Sequence, residues 1–188
     1  MLQTAFGFWN SKVLLTAVGF GLFTKLGDRY LTGAELGAEL GLHPRGIADF
    51  FDALVAMKFL DREGDGPDGK YFNTPEGALY LASTRPHYVG GIMEMLNARL
   101  FNFWDSLPEA LRTGQPQNET KHGGKNIFEE LYAELPKLEQ FLGAMIGISR
   151  VNFEAFAENS TSRPIRHFAT SAVPPGCSAS KPRSATRI

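Results

Sequence analysis

The sequence predicts a mainly α fold, and three observations carry that expectation. Apolar residues recur at three- and four-residue steps over long stretches. Helix-start signals at Thr32-Gly33-Ala34-Glu35, Pro44 and Thr74-Pro75 precede several of them. A single pair of strand-like runs, Phe59–Glu63 and Lys70–Asn73, flanks one turn rich in Gly and Asp. The 188 residues are 43% hydrophobic and 12% aromatic. That suffices for one packed domain with an appendage and excludes wholesale disorder.

From Met1 to about Leu26 the pattern reads as one long helix. Phe6, Trp9, Val13, Ala17 and Phe20 form one stripe; Leu14, Val18, Leu22 and Phe23 form another. A terminal helix apolar over so much of its circumference needs a large surface to bury against, and a second copy of the chain is the natural one. Val13–Phe23 is the most apolar run, but Lys12 and Lys25 bracket it. It falls short of the roughly 20 residues a membrane span requires. No basic leader precedes it and no small-residue cleavage site follows.

Thr32 to Glu35 is a capping box opening a short helix that Gly41 closes. Pro44 starts another, with Ile47, Phe50, Phe51, Leu54 and Val55 inward. The hairpin follows, its turn spanning Gly64–Gly69. Three helices and then a hairpin describe a winged helix. Thr74-Pro75 caps a short helix to about Leu81. A long helix is expected from about Tyr88 to Arg112, kinked at Pro108. A polar loop follows from Gly114 to Gly124, and then helices over about Asn126–Tyr132 and Leu135–Glu158.

The net charge of -1 hides an asymmetry. All 20 acidic residues lie at or before Glu158, whereas Ser160–Ile188 holds five of the 19 basic ones, Arg163, Arg166, Lys181, Arg183 and Arg187. The body therefore sets 14 basic residues against 20 acidic ones, a net of -6. With four prolines and no helical or strand period, the end of the chain reads as a disordered basic tail. The division is a winged-helix dimerisation domain at 1–84, a helical acceptor-pocket and connector segment at 85–158, and the tail at 159–188.

Several chemistries have no support. The lone cysteine, Cys177, excludes a disulfide framework and a cysteine-rich zinc site, which leaves the cytoplasm as the default compartment. His43, His87, His122 and His167 show no metal-ligand spacing. No nucleophile elbow and no phosphate-binding glycine fingerprint occurs in frame. The winged helix invites a nucleic-acid role, yet its recognition helix offers Asp49 and Asp52 after Arg45, and its hairpin tip is acidic. Neither nucleic acid nor membrane is expected as a partner.

Two helical stripes are more informative. Asn97, Phe101 and Trp104 fall at i, i+4 and i+7, and Phe141, Met145 and Ile148 repeat that spacing. Such stripes are ordinarily core. Asn97 is the exception, because a buried amide needs partners, and a ligand hydroxyl or carbonyl is one way to supply them.

The blocks GFWNSKVLLTAVGFGLFTKL, LTGAELGAELGLHPRGIADFFDALVAMKFL, YFNTPEG, GGIMEMLNARLFNFWDSLPEALRTG and FLGAMIGISR, in that order, resemble the N-terminal dimerisation half of small-molecule O-methyltransferases. This is the class I, S-adenosylmethionine-dependent group of acetylserotonin and phenolic O-methyltransferases. The resemblance covers about Met1 to Glu158. It implies that the winged helix builds a homodimer rather than reading DNA. It further implies that Asn97, Phe101, Trp104, Phe128, Phe141 and Met145 line a pocket for a small hydroxylated, aromatic acceptor. S-adenosylmethionine is the cofactor of full-length members; none is expected to bind this chain, which is expected to be inactive alone. The alternative is a winged-helix transcriptional regulator sensing a small aromatic ligand.

The family's cofactor domain should follow Glu158, and the sequence there departs from it. A register one base out allows Ala169–Ser178 to encode Asp-Val-Gly-Gly-Ala-Ala-Gly-Leu-Leu, with Ser coded TCN, and Tyr-Lys-Thr-Phe upstream, one Cys or Arg lying between the two. The first resembles the family's cofactor-binding strand and glycine loop, and the second is another family-like feature. The tail is accordingly expected to be an out-of-frame remnant of the methyltransferase domain.

Overall fold

The computed structural model of the chain describes residues 1–121 and 127–159. The expected tail from residue 160 onward, and His122, lie outside them.

The opening helix is in fact two. α1 spans Leu2–Gly19 and α2 spans Leu22–Leu26. Between them Gly21 has φ 66°, a left-handed conformation that glycine adopts without a Cβ penalty. The bend sorts the apolar residues into two groups. Leu15, Ala17, Val18, Leu22, Phe23 and Leu26 are buried, whereas Leu2, Phe6, Phe8 and Trp9 are exposed. Phe6 stacks on Trp9 with ring centroids 4.8 Å apart. Val13 packs against the chain's own core, and Phe20 meets Phe50 edge-on at 6.3 Å.

The capping box forms as expected. Thr32 Oγ1 accepts from the Glu35 N–H at 3.3 Å, and Glu35 Oε2 accepts from the Thr32 N–H at 2.8 Å. The backbone bond from Thr32, and then its hydroxyl bond, hold the Glu35 carboxyl below the ordinary carboxylate range. α3 runs Gly33–Leu40 and ends on Gly41 at φ 68°. A 3₁₀ turn at Pro44–Gly46 leads into α4, Ile47–Ala56, whose Phe51 and Leu54 are fully buried.

β2 (Leu60–Glu63) and β3 (Lys70–Asn73) pair antiparallel, with Leu60 opposite Asn73 and Glu63 opposite Lys70. A two-residue strand that the sequence reading lacks, β1 (Leu31–Thr32), pairs with the other edge of β3 and makes the order β1-β3-β2. α5, Pro75–Leu81, starts at Thr74, whose hydroxyl accepts from the Gly77 N–H. Phe23, Phe51, Leu22, Leu26, Leu36, Leu54 and Leu60 are fully buried at the centre of this winged helix. Each contributes about 1.5–3 kcal/mol by leaving water.

The second half is less regular. The expected helix Tyr88–Arg112 is interrupted twice. α6 is Gly90–Met95, a π turn follows at Leu96–Leu100, and α7 is Phe101–Trp104. The chain then breaks at Asp105–Ser106 before α8, Leu107–Thr113. Pro108 lies in the first turn of α8, where a missing N–H is tolerated, so it follows a break rather than kinking a helix. α9 is Ile127–Ala133 and α10 is Leu135–Asn159. α10 crosses α6 closely, at residues without bulk. A Cβ on Gly91 would sit 3.3 Å from the Gly143 carbonyl, and one on Gly147 would sit 3.0 Å from the Tyr88 oxygen. Beyond the crossing, Phe153 and Phe156 are both 65% exposed, so neither finds a surface among the described residues.

Candidate functional site

Two cavities flank the helix built from α6, the π turn and α7, and they share Leu100. The larger, about 680 Å³, lies between that helix and α1. Phe8, Ser11, Leu14 and Leu15 form one wall; Met93, Leu96, Phe101, Trp104 and Asp105 form the other. The smaller, about 280 Å³, is closed by Met95, Arg99 and Phe103 on one side and by Phe128, Leu131 and Phe141 from α9 and α10 on the other. Asn118 and Glu119 of the loop after α8 complete it. Both are apolar spaces with few polar groups, the usual character of small-molecule sites.

The structure divides the six residues singled out from sequence. Phe101 and Trp104 line the larger cavity, and Phe128 and Phe141 line the smaller. Asn97 and Met145 are half-buried and line neither. Asn97 faces α1, where a Cβ on Gly19 would stand 3.7 Å from its amide nitrogen. The partner its amide needs is internal. Lys12 Nζ donates to Asn97 Oδ1 at 2.7 Å and stands 4.5 Å from the centre of the Phe101 ring.

Sequence reasoning missed Arg99 and Glu119. Arg99 Nε donates to Glu119 Oε1 at 2.7 Å, and its Nη2 is 2.6 Å from the same oxygen. The two side chains are only 15% and 19% exposed. The available signal was that Arg99 is the sole charge between Glu94 and Asp105. At the base of the segment the Tyr88 hydroxyl donates to Glu94 at 2.6 Å, and burial followed by that bond raises its pKa. In the winged helix Tyr71 donates to Asp52 at 2.7 Å, and burial, aided by that bond, pushes it up to about 12.

Among the described residues no cluster of three His, Cys, Asp or Glu side chains could hold a metal ion. No described helix is long and apolar enough to cross a membrane. Asp49 and Asp52 are exposed on α4, and Arg62 pairs with Asp52 at 3.1 Å.

Residues 2–83 match the family described as the O-methyltransferase dimerisation domain. Over 149 residues the chain is 40% identical to the tetracenomycin polyketide synthesis 8-O-methyl transferase TcmO of Streptomyces glaucescens, spanning 79% of this chain and 42% of that protein. It is 31% identical over 130 residues to the 3-hydroxy-5-methyl-1-naphthoate 3-O-methyltransferase of Streptomyces sahachiroi, spanning 69% of this chain and 36% of that one. The fold is that of human N-acetylserotonin methyltransferase in complex with SAM, with a TM-score of 0.75 at 24% identity over 85% of this chain and 47% of that one. The chain thus spans less than half the length of each of these proteins.

Proposed function

We propose, from the premise that residues 2–83 belong to the O-methyltransferase dimerisation-domain family, that this chain is the dimerisation and acceptor-pocket half of an S-adenosylmethionine-dependent O-methyltransferase. Its acceptor is a small hydroxylated aromatic. The observation that carries this reading is the pair of aromatic-walled cavities on one helix, within a sequence 40% identical to a polyketide O-methyltransferase. Phe101, Trp104, Phe128 and Phe141 wall the acceptor site, Asn97 fixes Lys12 beside it, and Met145 supports it from α10. In such chemistry the acceptor oxygen must be held in line with a methyl donor, so ring-gripping walls act on rate through orientation. In this reading the segment from 159 is an out-of-frame remnant, and the nucleotide sequence from codon 155 onward tests that.

The described residues do not fit the cofactor. Their three strands are antiparallel and at most four residues long, whereas a nucleotide site of that kind is built at the carboxyl ends of a parallel sheet. Calorimetry of the purified chain with S-adenosylmethionine should give no saturable isotherm. α4 carries exposed carboxylates where a DNA reader carries cations, which favours the methyltransferase reading over the regulator.

The dimer is proposed to form through the exposed half of α1. Phe6→Ser/Trp9→Ser, rather than changes at Val13, which packs on the core, or at Phe20, which meets Phe50, should give a monomer that melts as a folded protein. Light scattering that finds the unmodified chain a stable monomer would overturn the dimer. Titration with 1-naphthol, followed by NMR, should shift amide signals around Phe101 and Phe141 saturably. A spectrum that stays still would overturn the acceptor site.

A further inference from the structure

We infer that the smaller cavity recognises a neutral carbonyl oxygen on a one- or two-ring aromatic, and that Arg99 is the residue that reads it. The inference rests on the acceptor-site reading and goes further by assigning a ligand class to one compartment. Among the described residues Arg99 is the only cation lining that cavity, within walls that are otherwise mostly apolar (Met95, Leu100, Leu131, Phe141). Its guanidinium is a planar fork with five N–H donors. Nε and Nη2 are both engaged by a single oxygen, Glu119 Oε1, which fixes the plane of the fork. Nη1 has no hydrogen-bond partner among the described residues. A donor held in a fixed plane at the wall of an apolar space suits an oxygen acceptor better than it suits water.

The charge state of the pair narrows the ligand. Glu119 balances Arg99, so the wall carries no net charge, and a carboxylate would arrive beside a carboxylate already bound. A ketone or quinone oxygen brings lone pairs without that repulsion. At about 280 Å³ the space is sized for one or two fused rings.

The test uses the full chain and two probes of the same shape, 1-tetralone and tetralin, followed by amide shifts of Met95, Leu131 and Phe141. We expect 1-tetralone to bind about tenfold more tightly than tetralin, the scale of one hydrogen bond to a charged donor. Arg99→Lys keeps the charge and the pairing with Glu119 but lacks the second prong. It should lose most of that difference while leaving tetralin affinity unchanged. The variant Arg99→Met/Glu119→Gln, which removes both charges together, should bind the two probes equally. Equal binding of both probes by the unmodified chain would overturn the role of Arg99 and leave the acceptor-site reading intact. No saturable shift with either probe, or shifts confined to the Phe8 and Trp104 cavity, would overturn the assignment of this compartment. Failure of 1-naphthol as well would bring down the broader reading.

Discussion

The winged helix and the helical segment behind it solve the same burial problem differently. In the first, helices begin at Thr32, Pro44 and Thr74 on capping side chains or proline, and their apolar faces close on one another until Phe23, Phe51 and Leu54 are wholly buried. In the second, the helix from Gly90 is broken twice, and Trp104, Leu111, Ile146, Phe153 and Phe156 remain exposed. The winged helix buries its apolar residues in one core, on which Val89 and Met93 of the second half also pack. The segment after it holds its apolar surface in cavities and on open faces, which suits a part whose partners are a ligand or further protein. α1 belongs to both: its last turns join the core, and its first turns carry Phe6, Phe8 and Trp9 in the open.

The sharpest way to break this contrast is to truncate one phenylalanine in each half. Phe51→Ala should destabilise by about 3–5 kcal/mol in chemical denaturation, the range for an emptied aromatic core site. Phe153→Ala should change stability by no more than about 0.5 kcal/mol, as exposed substitutions do. Similar losses at the two positions would mean the second half is packed as the first is.

Glycines give the next test. A Cβ at Gly77 would run into the Phe59 carbonyl oxygen of the hairpin, so Gly77→Ala should lose about 1–3 kcal/mol. A Cβ at Gly143, in the middle of α10, meets nothing within 4 Å, and Gly143→Ala should gain about 0.5–1 kcal/mol through helix propensity. Both are read from denaturant midpoints, and a loss at Gly143 would mean α10 packs differently. Thr32→Ala should lose about 1 kcal/mol by opening the capping box.

The smallest effect concerns pH. Tyr71 is raised to about 12 in the folded chain, so its contribution is complete below pH 10 and is lost as pH climbs from 10 towards 12. Thermal melts should fall along that limb, and Tyr71→Phe should flatten it. An unchanged slope would mean that Tyr71 does not carry the limb.

The difference between the halves also decides what could be read from sequence. Thr32, Pro44, Gly41, Thr74 and the hairpin turn act through backbone chemistry within a few residues, so their elements were legible. α4 ends less legibly, because Lys58 takes the left-handed conformation usually left to glycine, at φ 64°. β1 was invisible because two residues have no period, and its register is set by β3, some 40 residues later. Gly21 sits in an apolar run where a glycine is often tolerated within a helix, so the bend left no mark. The site was half legible. Helical spacing singled out Phe101, Trp104 and Phe141, the resemblance added Phe128, and all four line the two cavities. The pairs Lys12–Asn97 and Arg99–Glu119 depend on contacts between residues 85 and 20 positions apart. No local pattern encodes such distances.

The glycine crossing of α6 and α10 has a mechanical consequence. With so little bulk between the backbones, α10 rests on a short fulcrum at Gly143–Gly147, and its last twelve residues project about 18 Å beyond it. A tilt of about 10° at the fulcrum would swing the far end, at Asn159, by about 3 Å, roughly the length of a hydrogen bond. Phe141, at the wall of the smaller cavity, stands two residues, about 3 Å, from the fulcrum and would move only about 0.5 Å. The helix is thus geared as a lever, turning small adjustments around a bound ring into larger displacements at its opposite end.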